Sequence, residues 1–204
     1  MPPLPKAKRE MIIDAAYEIT REKGFKAVTA REIARRLHCS TSPIFTVYKD
    51  MDELKKDVCD KAQASFDAYM AKADEYTPQF KQQGILLIQF AKDEPEIFKL
   101  VHSGFTDQPL DIMEVFDKVM QPEELSIIQK EYGLDEEEAY FLYRHVWVMT
   151  YGVAALAGNG QYVLTEEEII RSLGVEFMST LLYVKSGKYK ETTVIPVPRE
   201  EKKS

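Results

Sequence analysis

TAREIARRLHCSTSPIFTVYKDMDEL, residues 29–54, is the stretch of sequence that decides the fold. Apolar Ile33 and Leu37 precede a short polar turn, and apolar Ile44 and Val47 follow it. A turn of this length cannot bring two helices into antiparallel packing, so the helices must cross steeply. The spacing therefore predicts a helix-turn-helix, whose second helix can enter the major groove of DNA.

Helix-start signals precede both helices of this motif. Thr29, followed three residues later by Glu32, is the signature of a capping box at the start of the first helix. Ser40 is predicted to cap the second helix, and Pro43 is compatible with its first turn. Both ends of the motif are thus defined by local sequence.

Helical periodicity also dominates the rest of the chain, and no segment alternates apolar and polar residues as a strand would. A further set of helices is predicted over residues 12–24, 50–73, 79–91, 142–156 and 165–181. Shorter helices are expected between Pro95 and Pro122. The predicted fold class is therefore all-α.

Charge is distributed unevenly along the chain. Residues 1–49 contain 10 Lys/Arg and 5 Asp/Glu, which gives this segment a net charge of +5. The remaining residues contain 17 Lys/Arg and 29 Asp/Glu, a net charge of −12, so the whole chain carries −7. A basic amino-terminal segment followed by an acidic remainder indicates two parts with different functions. The basic segment suits contact with phosphate groups.

Residues 29–54 resemble, without a gap, the DNA-binding motif of the TetR family of repressors. The match begins with Thr-x-x-x-Ile-Ala and ends with Tyr48 and the following Leu54. Two earlier segments, Ile13-Asp14-Ala15-Ala16 and Gly24-Phe25, resemble that family's first helix and turn. The resemblance implies a three-helix DNA-binding head, a larger helical ligand-binding body, and dimerisation through the last two long helices.

The resemblance also implies how the chain is divided and which residues of the head have which role. The expected domains are residues 1–49 for DNA binding, 50–186 for ligand binding and dimerisation, and 187–204 for a flexible tail. Thr29 would cap its helix and contact a phosphate, while Tyr48 would anchor the recognition helix to the core. The predicted DNA-binding set is Lys6, Lys8, Arg9, Thr29, Arg31, Ser40, Thr41, Ser42, Pro43, Thr46, Tyr48 and Lys49.

Three residues depart from the pattern of this family. His38 stands where a glycine usually provides a positive φ, a conformation that histidine adopts at some cost. Phe45 replaces a tyrosine whose hydroxyl typically binds phosphate, and Met51 replaces a lysine. These losses predict weaker or less salt-dependent DNA binding, for which Lys49 and the basic arm at residues 6–9 are expected to compensate in part.

A ligand pocket and a dimer interface are the two sites expected in the body. Apolar residues recur at spacings of four and three from Leu142 to Leu156, the rhythm of a helix packed along a partner helix. The pocket is predicted to contain Phe98, His102, Phe105, Phe116, Tyr143, Trp147 and Tyr151, each of which is equally explained as an ordinary core residue. The dimer interface is predicted to contain Leu142, Val146, Met149, Val153, Leu173, Gly174, Phe177 and Leu181.

The helix that contains residues 142–156 is apolar on nearly all its faces, so it is expected to be deeply buried. Its segment WVMTYGVAAL, residues 147–156, resembles a Trp-x-x-x-His-Gly-x-x-x-Leu pattern of one branch of the family, with Tyr151 in the His position. Tight helix packing around Gly152 and Ala154 explains the same residues and is the favoured interpretation.

Catalysis, metal binding and membrane insertion find little support in the sequence. His38, His102 and His145 form no pair at metal-ligand spacing, so no metal or cofactor is expected. The chain contains no nucleophile-elbow motif, so no enzymatic activity is expected. No apolar run is long enough to span a bilayer, and two cysteines suit a reduced cytoplasm. A redox role for Cys39 or Cys59 stays open.

These features together predict a sequence-specific DNA-binding regulator of transcription, with repression favoured over activation. Its expected partners are a palindromic operator in double-stranded DNA, a second copy of the chain, and a small-molecule effector that releases the DNA. The alternative is a helical adaptor that keeps the fold for protein interactions without binding DNA.

Overall fold

The computed structural model describes residues 9–103, 116, 120, 122–160 and 165–190. In this part of the chain the regular elements are all helices, so the predicted all-α class is confirmed. The helices are α1 (Arg9–Lys23), α2 (Ala30–Arg36), α3 (Ser42–Val47), α4 (Met51–Met70), α5 (Gln79–Asp93), α6 (Pro95–Ser103), α7 (Pro122–Tyr132), α8 (Glu136–Gly158) and α9 (Glu166–Lys185). Short 3-10 turns occupy Phe25–Ala27, Ala71–Glu75 and Lys188–Lys190.

Side-chain caps begin several of these helices where the sequence predicts them. The Thr29 hydroxyl accepts a hydrogen bond from the Glu32 backbone N–H at 3.2 Å, which caps α2. The predicted box is only half formed, because the Glu32 carboxylate binds Arg35 and Lys23 instead of returning to Thr29. At α9, Thr165 forms the complete capping box.

One hydrophobic core joins the first three helices to the rest of the molecule. Ile12, Ile33 and Ile44 are fully buried where α1, α2 and α3 meet. The same core continues through α4 to Ile88 of α5 and Ile97 of α6, which are also fully buried. The head is therefore packed directly on the body, with no gap in the core at residues 49–50.

A second core lies where α7, α8 and α9 pack together. Ile128, Leu142 and Val184 are fully buried there, one from each helix. Tyr189 follows α9 and packs its ring 4.8 Å from that of Phe141. The segment predicted as a tail thus contacts the body at Lys188–Lys190, and residues 191–204 lie outside the described part.

Helix α8 differs from the expectation that it would be deeply buried on all sides. Val148 is 39% exposed and Leu156 is 44% exposed, and both lie on the side of α8 that also exposes Gly152. A Cβ added at Gly152 would meet nothing within 4 Å, so tight packing within the protomer does not explain this glycine. The close helix crossing is at Gly158, where a Cβ would lie 2.7 Å from the Ala91 carbonyl oxygen of α5.

Candidate DNA-binding surface and ligand cavity

The turn between α2 and α3 is closed by His38 in the left-handed conformation, with φ of 52°. The His38 N–H donates to the Arg35 carbonyl at 3.3 Å, and the Cys39 N–H donates to the Ala34 carbonyl at 3.0 Å. This pair of bonds is a Schellman motif, which usually contains glycine at the His38 position. The turn therefore keeps the predicted geometry, and histidine adopts it at a cost of about 1–2 kcal/mol.

Helix α3 is held by its buried side and presents a polar side to solvent. Ile44 is fully buried between the helices of the head, whereas Ser42 and Thr46 are exposed. The Thr46 hydroxyl donates to the Ser42 carbonyl at 3.0 Å, so its oxygen remains available as an acceptor. Thr41 and Pro43 are half-buried beside them. The predicted groove-facing residues thus share one short helix and its first turn.

Two details of α3 differ from the sequence-based expectations. Ser40 does not cap the helix, because the N-cap position is Thr41, and neither side chain accepts a capping hydrogen bond there. Phe45 is 49% exposed beside Thr46, so an apolar ring belongs to the outward side. Such a ring can contact the methyl group of thymine in the major groove. From the sequence alone, Phe45 indicates only the loss of a phosphate contact.

Residues suited to phosphate contacts flank this surface. Thr29, Arg31 and Lys49 are exposed, and neither cation forms an ion pair within the described residues. The predicted contacts Lys6 and Lys8 lie outside the described residues. Arg31 and Lys49 are therefore the cations that the structure offers most directly to a DNA backbone.

Arg9 and Tyr48 both make internal contacts. The burial of Tyr48 corrects its assignment as a DNA contact, whereas the assignment of Arg9 stays a prediction. The Arg9 guanidinium binds Asp57 at 2.8 Å and Glu53 at 3.3 Å, and it lies 4.5 Å from the centre of the Tyr48 ring. Tyr48 is 1% exposed, and its hydroxyl donates to Asp57 at 2.9 Å. Hydrogen bonds from Arg9 and Tyr48 lower the pKa of Asp57, although its burial acts in the opposite direction. Both residues tie α4 to the head.

Other basic residues of the head are also paired with carboxylates. Arg35 and Lys23 both bind Glu32, at 2.6 Å in each case, and Arg36 binds Glu22. Hydrogen bonds from Arg35 and Lys23 lower the pKa of Glu32 to about 2. The net positive charge of residues 1–49 is therefore partly neutralised in place, and fewer cations face solvent alone than the composition indicates.

A cavity of about 890 Å³ lies inside the body. Helices α4, α5, α6, α7, α8 and α9 all contribute to its wall. Aromatic side chains from five of these helices line it: Phe66, Phe80, Tyr132, Tyr143, Trp147 and Phe177. This volume lies within the range of small-molecule sites, and the lining is largely apolar, as such sites require.

The predicted pocket residues divide into three groups. His102, Tyr143 and Trp147 line the cavity. Three others support the lining from behind: Phe98 lies 4.2 Å from the His102 ring, Phe116 lies 5.5 Å from Trp147, and Tyr151 stacks on Trp147 at 5.2 Å. Phe105 lies outside the described residues.

Several lining residues were missed or assigned to another site. Phe66 of α4 and Phe80 of α5 were not predicted, because isolated aromatics on amphipathic helices are typical of a core. Leu173, Gly174 and Phe177 were predicted for the dimer interface, yet they line the cavity. Helix α9 therefore closes one side of the pocket.

The residues predicted for the dimer interface are mostly internal to the protomer. Leu142 is fully buried, Val146 is 6% exposed, Leu173 is 5% exposed and Leu181 is 8% exposed. Their assignment is corrected, because these side chains pack on α5, α7 or each other's helices. Met149 and Val153 are half-buried. The apolar side chains that α8 and α9 leave exposed are Val148, Leu156, Val175, Met178 and Leu182.

An ion pair joins the head to the helix that carries His102. Arg21 of α1 binds Glu94 through two hydrogen bonds, from Nη2 at 2.5 Å and from Nε at 2.7 Å. Glu94 ends α5 and directly precedes α6, and His102 lies in the last turn of α6. A displacement of α6 at the cavity would therefore act on α1, which packs against it.

The described residues also bear on metal sites, membrane-spanning helices and reactive cysteines. No group of three or more His, Cys, Asp or Glu side chains is arranged to hold a metal ion there. Within the same residues, no helix is both long and apolar enough to cross a membrane. Cys39 and Cys59 are half-buried free thiols, and burial raises the pKa of Cys59. A raised pKa keeps that thiol protonated and less reactive.

Comparison with known proteins agrees with this architecture. The family model described as bacterial regulatory proteins, tetR family, matches residues 12–58. No curated protein matches the chain.

Solved structures share the fold over nearly the whole chain. A TetR-like transcriptional regulator from Rhodococcus sp. RHA1 has a TM-score of 0.62 and 16% identity, covering 91% of this chain and all of its own. A protein described as a transcriptional regulator from Pseudomonas aeruginosa PAO1 has a TM-score of 0.66 and 13% identity, with 92% and 95% covered. A protein described as a fatty acid metabolism regulator from Clostridium perfringens has a TM-score of 0.56 and 13% identity, with 83% and 97% covered. Residues 12–58 thus match the tetR family model, and the chain as a whole shares its fold with solved structures described as transcriptional regulators.

Proposed function

We propose that the protein is a homodimeric repressor that binds a palindromic operator and is released from it by a small molecule. The observation that carries this proposal is the presence, in one chain, of an exposed recognition helix and an aromatic cavity of about 890 Å³. We further propose that it acts in the cytoplasm and without catalysis of its own.

The DNA-binding part of the proposal rests on the outward side of α3. Ser42 and Thr46 have short polar side chains that allow close approach to base edges. Arg31 and Lys49 would position the helix by binding phosphates on either side of the groove. In a symmetric dimer, two such helices would reach half-sites about one helical turn apart, or a multiple of it.

The dimer part of the proposal rests on an exposed apolar surface. On α9 the exposed residues Val175, Met178 and Leu182 follow one another at spacings of three and four, so they form one stripe. Val148 and Leu156 form a second stripe on α8, which packs against α9. Two copies would bury these stripes in a four-helix contact, the usual way of covering apolar helix faces.

Release by a ligand requires a connection between the cavity and the head. Helix α4 supplies one, because Phe66 lines the cavity while Asp57 on the same helix binds Arg9 and Tyr48. Helix α6 supplies a second, through His102 at the cavity and Glu94 beside Arg21. Coupling of this kind typically amounts to about 1–3 kcal/mol, or roughly 5- to 150-fold in affinity.

A selection from random duplexes tests the proposal. The purified chain is expected to enrich a palindrome, and a promoter that contains this palindrome is expected to be less active when the chain is present. Binding should weaken with salt, as it does for phosphate contacts. Failure to retain any duplex at low salt would contradict the proposal and favour the adaptor that binds no DNA.

The Arg21–Glu94 pair should carry part of the coupling. Because this pair is partly exposed, we expect about 0.5–1 kcal/mol from it, so Glu94→Gln should reduce the ligand-induced loss of DNA affinity about two- to fivefold. The measurement is the operator dissociation constant with and without a ligand that occupies the cavity. Glu18→Gln is the matched control, since Glu18 pairs with the same Arg21 but lies beside it on α1. Equal losses in both variants would refute the role of Glu94.

A further inference from the structure

Two hydroxyl groups of the cavity wall, those of Tyr143 and Thr150, keep lone pairs that can accept hydrogen bonds. The Tyr143 hydroxyl donates its hydrogen to a Glu124 carboxylate oxygen, and the Thr150 hydroxyl donates to the Val146 carbonyl at 2.6 Å. Both hydroxyl oxygens can therefore still accept, whereas their hydrogens are already used. A ligand that meets these groups must bring hydrogen-bond donors.

His102 adds a third acceptor. Its Nδ1 lies 2.9 Å from the Phe98 carbonyl oxygen, which can only accept, so Nδ1 carries the hydrogen and Nε2 carries a lone pair. The side chain is 6% exposed and lies among the rings of Phe98, Phe66 and Tyr151, at 4.2, 5.4 and 5.2 Å. Burial lowers the pKa of His102, so the ring is neutral near pH 7. Nε2 has no hydrogen-bond partner within the described residues, and the residue lines the cavity.

The charged residues that line the cavity also favour a ligand that donates hydrogen bonds. Among its described lining residues, Asp67 and Glu124 are acidic and Lys81 is basic. The two Glu124 oxygens accept hydrogen bonds, one from Gln83 at 2.8 Å and the other from Tyr143. An anionic ligand would meet a net negative wall, whereas a cation would meet carboxylates and the faces of aromatic rings, which also attract cations.

We propose that the ligand of this cavity is a lipophilic amine, with a protonated nitrogen that donates hydrogen bonds to the wall and an apolar body that fills the aromatic space. This inference rests on the proposed function, in that the cavity is its effector site. The inference adds the chemical class of the effector. A fatty acid has the same apolar body and the opposite head group, so it is the sharpest contrast.

Three probes of one chain length separate these classes: dodecylamine, dodecanol and dodecanoate. Trp147 is the only tryptophan of the chain and lines the cavity, so its fluorescence reports occupancy directly. We expect dodecylamine to bind at least about tenfold more tightly than either of the other probes at neutral pH. Dodecanoate binding as tightly as the amine, or dodecanol binding equally well, would overturn the inference.

Paired variants locate the preference in the wall. Glu124→Gln should lower amine affinity about fivefold or more, while Glu123→Gln, an exposed neighbour on the same turn of α7, should not change it. If Glu124→Gln fails to fold, as judged by circular dichroism, Asp67→Asn at the exposed rim of the cavity is the substitute. Unchanged preference for the amine in the folded variant would count against the assigned contacts.

A second readout, the dissociation of an operator duplex, keeps this inference distinct from the proposed function. Amine binding that leaves the duplex bound would support the amine class and contradict release by the ligand. Duplex release by dodecanoate alone would support the proposed function and overturn the amine class.

Discussion

Leu182→Arg is expected to split the proposed dimer and, with it, to abolish high-affinity binding to the proposed operator. Leu182 is 64% exposed in the protomer, the most exposed residue of the apolar stripe on α9. A symmetric interface receives the substitution twice, so two charges would be buried against apolar side chains. At about 2 kcal/mol for each unpaired group, dimerisation would weaken by about 4 kcal/mol, or roughly 1000-fold.

Sedimentation velocity measures this effect directly. Leu182→Arg should sediment as a monomer at concentrations where the parent is a dimer, with an unchanged helical spectrum, since the side chain is exposed in the protomer. Tyr76→Arg is the matched control, because Tyr76 is 52% exposed but belongs to the connection between α4 and α5 and not to either apolar stripe. If neither Leu182→Arg nor Val175→Arg changes the sedimentation of the dimer, the proposed interface is refuted.

Ser42→Asp or Thr46→Asp is expected to abolish specific DNA binding without affecting the dimer. Each places a carboxylate on the side of α3 proposed to meet the negatively charged groove. Loss of a base-edge contact costs about 1–3 kcal/mol, and two heads per dimer double it to about 2–6 kcal/mol, so affinity should fall at least about 30-fold. The fold should persist, because both side chains are exposed.

Ser126→Asp provides a control of the same chemistry at a distant site. Ser126 is exposed on α7, and its hydroxyl donates to the Pro122 carbonyl at 3.0 Å, as that of Thr46 does to Ser42. Operator affinity measured by anisotropy should fall only in the α3 variants. Retained affinity in both Ser42→Asp and Thr46→Asp would mean that another surface reads the DNA.

The helix-turn-helix could be predicted because its signals are local. Ile33 and Ile44 are buried as the spacing requires, Thr29 caps α2, and His38 adopts the positive φ that the turn needs. Each of these features depends on residues only a few positions apart. Contacts between residues so close in sequence can be predicted from the local sequence pattern.

The ion pairs of the head could not be predicted, because they join distant residues. Arg9 pairs with Asp57 and Glu53, which lie 48 and 44 positions further along the chain. Nothing in the local pattern distinguishes this arginine from Arg31, which is exposed without such a pair. Composition therefore overstated the number of cations that the head offers to DNA.

The errors in the body have a related cause. A stripe such as Leu142 and Val146 shows that a helix face is buried, but the periodicity does not say which helix covers it. Here the protomer's own helices do so, and the exposed stripe lies on another side of α8, at Val148 and Leu156. A cavity lined from six helices likewise depends on the assembled tertiary structure.

The continuous core between head and body also limits how modular this regulator can be. Helix α1 packs on α6 as well as on α2, and its end at Gly24 approaches Glu96. A chimaera joined at residues 49–50 would set a foreign α1 against this α6, with no matching of their side chains. Exchanging DNA specificity between such proteins would therefore succeed by transplanting the outward residues of α3 alone, and transplanting a whole head would require α6 to be redesigned with it.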